Sequence, residues 1–307
     1  MVASPVVVST DLDFSIIIPT YNRPEQLQGC LRSLEELEYP CDRFEVVVVD
    51  DGSSPPATPT LRAPGDGLDL HILRQDNAGP GLARNRGAAH ARGRFLAFTD
   101  DDCRVDPGWL ESFGSAFDSH PNALLGGRTV NYLDNLYSGT SQMIVQLVYD
   151  HYNPDPNNAK FFTSNNIAVS SKHFSEMGGF DTAFIETGGE DRELCDRWRH
   201  LGRRLVYVPS ALVRHGHNMS LAGFWRQHFS YGRGAFHYHR RRKERGSGRL
   251  QDELGFYSRI PRLIRDPLSR QPTSRAIAAV LLILVWQLAN ACGYFCERAR
   301  SRIRSGI

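Results

Sequence analysis

The chain has 307 residues, enough for one large α/β domain with appendages or for two modest domains, so size does not limit a buried core. Its 36 lysines and arginines stand against 34 aspartates and glutamates, and a net charge of +2 excludes a global nucleic-acid-binding signature. Six cysteines (Cys30, Cys41, Cys103, Cys195, Cys292, Cys296) form no CxxC pair, which argues against a disulfide framework or structural zinc and for a reducing compartment. The N-terminal MVASPVVVSTDLDF has no basic n-region and no long apolar h-region, so no secretory signal is expected and the catalytic part is expected in the cytosol.

Phe14 to Ile18 is a short β-branched run, and Pro24 to Leu37 carries apolar residues at Leu27, Leu31, Leu34 and Leu37, which predicts strand, loop, helix. Phe44 to Val49 is a continuous apolar run, as in a parallel strand covered on both faces, and it stops at Asp50, Asp51, Gly52 and Ser53. After a Pro- and Gly-rich loop over Ser54 to Gly67, a strand at Leu70 to Leu73, a helix at Gly81 to Ala91 and a strand at Phe95 to Phe98 follow. The last runs into Thr99 and three aspartates. Further on, helices are expected at Gly139 to Tyr152, Ser171 to Met177 and Glu190 to Leu201, with strands at Asn166 to Val169 and Leu205 to Val208.

From Leu221 the composition changes, with aromatic and basic residues interleaved through FWRQHFSYGRGAFHYHRRRKERGSGR. Ala276 to Phe295 then lacks any charge over about the length that spans a bilayer's hydrocarbon. Gln287, Asn290 and Tyr294 fall at helical spacing along it, which also suits a helix packed on protein. The basic stretches Arg240 to Arg249 and Arg298 to Arg304 would attract anionic lipid or simply be solvated.

Two acidic turns, Asp50/Asp51 and Asp100 to Asp102, both end strands, and the carboxyl edge of an open α/β sheet is where ligands bind. Three adjacent carboxylates without neighbouring bases suit a hard cation such as Mg²⁺ or Mn²⁺, or a solvated helix cap. Asp50 and Asp51 can make an Asx-type turn or accept from a ribose hydroxyl or a base N–H, and Tyr21 offers a ring on which a base can stack.

The segments SIIIPTYNRPEQL, VVVVDDGSS, NAGPGLARNRGAAHARGRFLAFTDDD and GGFDTAFIETGGEDRELCDR, in that order, resemble family 2 glycosyltransferases of the GT-A fold over roughly residues 14 to 235. The resemblance implies that Pro19, Thr20 and Tyr21 line the nucleotide base, with Arg23 beside them, and that Asp51 reads the base with Asp50 next to it. Arg84 would border the phosphates. Asp100 to Asp102 match the DxD motif, in which Asp102 coordinates metal and Asp100 and Asp101 approach the ribose; Asp100 is a second candidate ligand and His215 a third, ahead of His217. Glu190 and Asp191 match the ED motif, with Asp191 as the general base that an inverting displacement requires opposite the leaving diphosphate. They also suit a helix N-terminus by charge alone. Asn165 and Asn166 fall where family members carry polar residues near the transferred sugar, or cap a strand.

The QxxRW motif of processive members is absent; the nearest stretch is Gln227, His228, Phe229, Ser230, Tyr231, so transfer of one sugar is expected. The expected architecture is therefore α/β, a GT-A, Rossmann-like, mostly parallel sheet flanked by helices. It comprises a tail at 1–13, a catalytic domain at 14–220 (nucleotide part 14–105, acceptor part 106–220) and a helical, membrane-associated extension at 221–307. The expected partners are a nucleotide-sugar donor, with UDP as the default nucleotide, a glycan, lipid-linked or other hydroxyl acceptor, and the cytosolic face of a membrane, but no nucleic acid; the expected cofactor is Mn²⁺ or Mg²⁺. A non-catalytic nucleotide-sugar-binding scaffold and a metal-dependent nucleotidyltransferase are the competing readings, the latter weakened by the lack of a Gly-rich triphosphate loop beside the first strand.

Overall fold

The computed structural model describes residues 12–57, 68–184, 188–248 and 254–304. The loop expected over Ser54 to Gly67 lies outside these from residue 58 on, as do most of the N-terminal tail and Arg249. In chain order the elements are β1 (Phe14–Thr20), α1 (Pro24–Glu35), β2 (Phe44–Asp50), β3 (Leu70–Arg74), α2 (Pro80–His90), β4 (Phe95–Thr99), β5 (Cys103–Val105), α3 (Trp109–Ser119), β6 (Leu124–Asn131) and α4 (Leu136–Tyr152). There follow β7 (Asn166–Ser170), α5 (Ser171–Met177), α6 (Glu190–His200), β8 (Leu205–His215), α7 (Leu221–Arg245), α8 (Leu254–Leu263), α9 (Arg265–Ser269) and α10 (Thr273–Arg304).

The strands form one mixed sheet in the order β3-β2-β1-β4-β7-β6-β8-β5, with β7 and β5 antiparallel to their neighbours. Every residue of β1, β2 and β4 is buried, because helices cover both faces of this parallel part and the period-two alternation feeds two cores. Ile16, Ile18, Val46 and Val48 pack with α1 and α3 through Leu27, Leu31, Trp109 and Phe113. Ile17, Val47, Val49 and Phe98 pack on the other face with α2, α5 and α6 through Ala83, Phe174, Leu194 and Trp198.

Sequence periodicity misses β5 and β6. β5 has three residues, too short for a pattern, and β6 carries Gly126 and Gly127 where an alternating strand would show side chains. A Cβ on Gly126 would meet the Phe162 ring at 2.1 Å, and one on Gly127 would meet Ala211 O at 2.2 Å, so packing explains both glycines. β8 is longer than expected, because it runs past Pro209 through a register shift against β6 and ends on His215.

The C-terminal extension is an integral layer. Met143, Ile144, Leu147, Phe224, Phe256, Ile260, Leu282, Ile283 and Trp286 bring α4, α7, α8 and α10 into a third core. α10 lies so close along α7 that a Cβ on Gly232 would meet Asn290 O at 2.1 Å and one on Gly293 would meet Phe229 O at 2.0 Å. Glu297 on α10, buried, pairs with Arg233 at 2.7 Å and with His237 at 3.1 Å on α7. α10 is also the one helix among the described residues that is long and apolar enough to cross a membrane.

Candidate active site

The carboxyl edge of β1, β2 and β4 opens into a cleft of about 1060 Å³ that runs past α2 and α6 to α4, α7, α8 and α10. At its first end lie Pro19, Thr20, half-exposed Tyr21, Asp51, Asn77 and Gly79. Asp51 is fixed by three donors, Gln75 Nε2 at 2.7 Å, Ala78 N at 2.9 Å and Gly79 N at 2.9 Å, which tie the β2 turn to the start of α2. Thr20 Oγ1 donates to Asp101 at 2.8 Å, and Arg23 reaches Asp101 at 3.2 Å and Asp102 at 3.0 Å. Burial pushes the Asp101 carboxyl up to about 7, against the pull of Arg23.

The β5–β8 pairing sets Cys103 opposite His215, and Gly216 N donates to Asp102 O at 2.8 Å, so the acidic turn is clamped to the segment His215, Gly216, His217. His215 Nε2 stands 3.1 Å from Asp102 Oδ1. Although burial opposes it, the hydrogen bond and charge of His215 hold Asp102 well below the usual carboxylate range. One ligand atom each from Asp102, His215 and His217 lie within 4.8 Å of one another, the spacing of a metal site. A second such group, Glu45, Asp69 and His71, is bridged by the Arg92 guanidinium, which contacts both carboxylates and serves as their counter-charge.

On the opposite wall α6 is entered through Gly188 and Gly189, whose φ values of 128° and 98° favour glycine, and Asp191 in its first turn lines the cleft. Burial, with the charge of Glu190 second, raises the Asp191 carboxyl to about 7. Arg84, 3% exposed, spans the two walls: it pairs with Asp100 at 2.7 Å and with Glu190 at 3.4 Å. Glu190 also accepts from Gly188 N at 3.1 Å, so it holds the turn that presents Asp191.

Tyr21 and Asp51 at one end, Asp102 with two histidines at a strand end, and Asp191 across the buried Arg84 thus share one cleft. The profile of Glycosyl transferase family 2 matches residues 15–180. The chain belongs to that family. A profile for the N-terminal domain of galactosyltransferase matches residues 144–219. The Pre-mycofactocin glycosyltransferase of Mycobacterium tuberculosis (strain ATCC 25618 / H37Rv) is 30% identical over 226 residues, 72% of this chain but 46% of that protein. Glycosyltransferase AglE of Haloferax volcanii is 38% identical over 115 residues, 37% of this chain and 38% of that protein, so the chain spans under half the length of these relatives. Among solved structures, the mannosyltransferase PcManGT from Pyrobaculum calidifontis, in complex with GDP-Man and Mn²⁺, is 16% identical with a TM-score of 0.62 over 94% of this chain and 86% of that one. S. aureus TarS 1-349 with UDP-GlcNAc is 18% identical with a TM-score of 0.52 over 96% of this chain and 92% of that one. Both share the GT-A fold.

In this family 2 chain three expected placements change. Asp50 is fully buried and does not line the cleft; it accepts from Ser53 N at 2.8 Å, Ala57 N at 3.1 Å and Arg74 Nη1 at 2.5 Å, so it builds the turn that carries Asp51. Asn166 is also fully buried, with Trp109 Nε1 donating to its oxygen at 2.8 Å and its amide nitrogen donating to Arg128 O and Ala211 O at 3.0 Å each. Its role is to lock α3 to β6 and β8, while Asn165 lines the cleft. Asp100 pairs with Arg84, and the group whose ligand atoms converge closely enough to hold a metal is Asp102, His215 and His217. Pattern reading also missed the far end of the cleft, where Gln227, His228 and Tyr231 of α7 and Trp286, Asn290 and Phe295 of α10 form the wall. Their i, i+1, i+4 spacing on α7 was the available signal.

Proposed function

We propose that this chain is an inverting glycosyltransferase that moves one sugar from a nucleotide-diphospho-sugar, a UDP-sugar, to an acceptor hydroxyl on the cytosolic face of a membrane. The observation that carries this reading is that one cleft joins the Asp102, His215, His217 group to Asp191, with Arg84 bridging the walls between them. The UDP-GlcNAc and the GDP-Man with Mn²⁺ held by the two structural neighbours support a nucleotide-sugar and a divalent cation here.

The donor half, residues 14–105, would hold the base between Tyr21 and Asp51, with Pro19, Thr20 and Arg23 along the same edge. Asp100 and Asp101 approach the ribose. One carboxylate and two imidazoles fit a first-row divalent ion, Mn²⁺ in preference to Mg²⁺, which keeps to oxygen ligands. Such an ion would supply positive charge to the leaving diphosphate. Asp191, from the acceptor half at 106–220, takes the proton of the attacking hydroxyl, and its raised affinity for a proton suits it to do so near neutrality. Glu190 and Arg84 hold it in place, and Asn165 faces the transferred sugar.

The test separates the two halves. In a heat-protection assay with Mn²⁺ and a panel of nucleotide-sugars, Asp102→Asn should lose donor protection while Asp191→Asn keeps it, and both should lose transfer. Equal loss of protection in both variants would overturn the assignment, and transfer surviving Asp191→Asn would remove the base.

A further inference from the structure

The cleft does not end at Asp191. Beyond it the cleft continues along α7 to a wall of mixed character, where the rings of Phe256, Tyr257, Trp286 and Phe295 stand beside Gln287 and Asn290. Within that wall sits an unusual polar group. His228 is 1% exposed and lined by the rings of Phe224, Tyr231 and Trp286, and among the described residues neither of its nitrogens has a hydrogen-bond partner. Burial lowers its affinity for a proton to about 4, so it stands neutral, with one donor and one acceptor to offer. Next to it Gln227 uses its amide nitrogen on Tyr231 Oη at 3.0 Å and leaves its oxygen unpartnered. Buried polar atoms without partners cost free energy unless a ligand completes them.

The mouth of this end lies on α10. Ile277, Leu281, Leu284, Leu288, Ala291 and Phe295 recur at helical spacing and are all exposed, an apolar stripe down the side of α10 that the described residues leave uncovered. Ala291 and Phe295 belong to both the stripe and the cleft wall. Arg298, exposed, continues the stripe at the same spacing, where a snorkelling guanidinium would meet lipid phosphate. α10 cannot cross a bilayer in this arrangement. It is packed along its length against α7, which carries Arg226, Arg233, Arg240, Arg241 and Arg242, and these cannot enter hydrocarbon beside it. A helix with one face committed to protein and the other apolar and uncovered lies in the plane of the interface.

We propose that the acceptor is an amphipathic lipid, drawn from a bilayer on which α10 lies in plane, with its polar head beside Gln227 and His228 and its apolar tail leaving past Trp286 and Phe295. The inference rests on the transferase reading above, since it assigns the acceptor of that same site.

The test uses the full chain and n-alkyl β-glucosides from butyl to octyl, kept below micelle formation, with binding measured by calorimetry. Affinity should tighten about fourfold per added methylene, the transfer value of one CH₂. His228→Ala should weaken every member of the series by a similar factor and keep the slope, whereas Trp286→Ala should flatten it. In parallel, the chain should float with phosphatidylglycerol vesicles, and the double variant Leu284→Glu/Leu288→Glu, whose side chains lie outside the cleft, should stay in solution with donor protection intact. A flat chain-length series, or failure of the unmodified chain to float, overturns the proposal. Nucleotide-sugar protection in the same preparations reports on the donor site alone, so its loss with the slope intact counts against the transferase reading instead.

Discussion

Replacing Arg84 by Met is the sharpest probe of the site, because one buried guanidinium neutralises carboxylates from both walls. Its side chain is 4% exposed, and it pairs with Asp100 at 2.7 Å and with Glu190 at 3.4 Å. Removing one partner of a buried ion pair leaves uncompensated charge and costs about 3–5 kcal/mol. For a domain of this size that corresponds to a fall in Tm of about 6–20 °C, at roughly 2–4 °C per kcal/mol. Arg84 also pulls the Asp191 carboxyl downward, so its loss should move the acid limb of the transfer rate to higher pH. Arg84→Lys, which keeps the charge but not the planar fork that reaches two carboxylates, should recover part of the stability and less of the rate. Calorimetry and a pH-rate series on both variants decide the matter. A Tm shift under about 2 °C for Arg84→Met, together with an unmoved acid limb, would show that the arginine bridges nothing that matters.

The transfer rate of the unaltered chain should fall about tenfold per pH unit below about 7, because Asp191 must be deprotonated to accept a proton and its carboxyl is raised to about 7 by burial; a flat profile between pH 5 and pH 7 would remove it as the base. The same raised value has the opposite sign for stability. The native state holds a proton that the unfolded chain releases above about 4, so this group destabilises the fold progressively as pH rises from about 4 to 7, measurable by denaturant titration of the unaltered chain against Asp191→Asn. Asn166→Ala should lower stability by several kcal/mol, about 1–3 for each buried partner left unsatisfied, and leave donor protection unchanged in the surviving folded fraction; loss of donor protection at full stability would return Asn166 to the sugar site.

Much of the cleft's strand edge was legible because two signals coincide there: continuous apolar runs mark buried parallel strands, and acidic residues break them abruptly. Phe44 to Val49 and Phe95 to Phe98 therefore place Asp51 and Asp102 at one edge of one sheet. What pattern cannot separate is which of two adjacent aspartates faces the cleft. Asp50 and Asp51 differ by one position in a turn, and the difference is set by which backbone N–H groups come within reach, those of Ser53 and Ala57 for one and of Ala78 and Gly79 for the other. Asn165 and Asn166 divide the same way: Asn165, in the turn before β7, lines the cleft, while Asn166, the first residue of the strand, accepts from Trp109.

The extension shows a different limit. An uncharged run of membrane length does not say whether lipid or protein covers it, since both reward the same residues. Here the answer depends on atoms outside the run: Glu297 just beyond it pairs with Arg233 and His237, and Gly232 and Gly293 admit the close backbone contact between α10 and α7. Those contacts commit one face of α10 to the protein and so make Trp286 and Phe295 part of the cleft wall. The segment that composition leaves open between membrane and protein is thereby also a wall of the cleft, and a substitution on its buried face, such as Trp286→Ala, should affect acceptor use, whereas one on its exposed stripe should affect attachment.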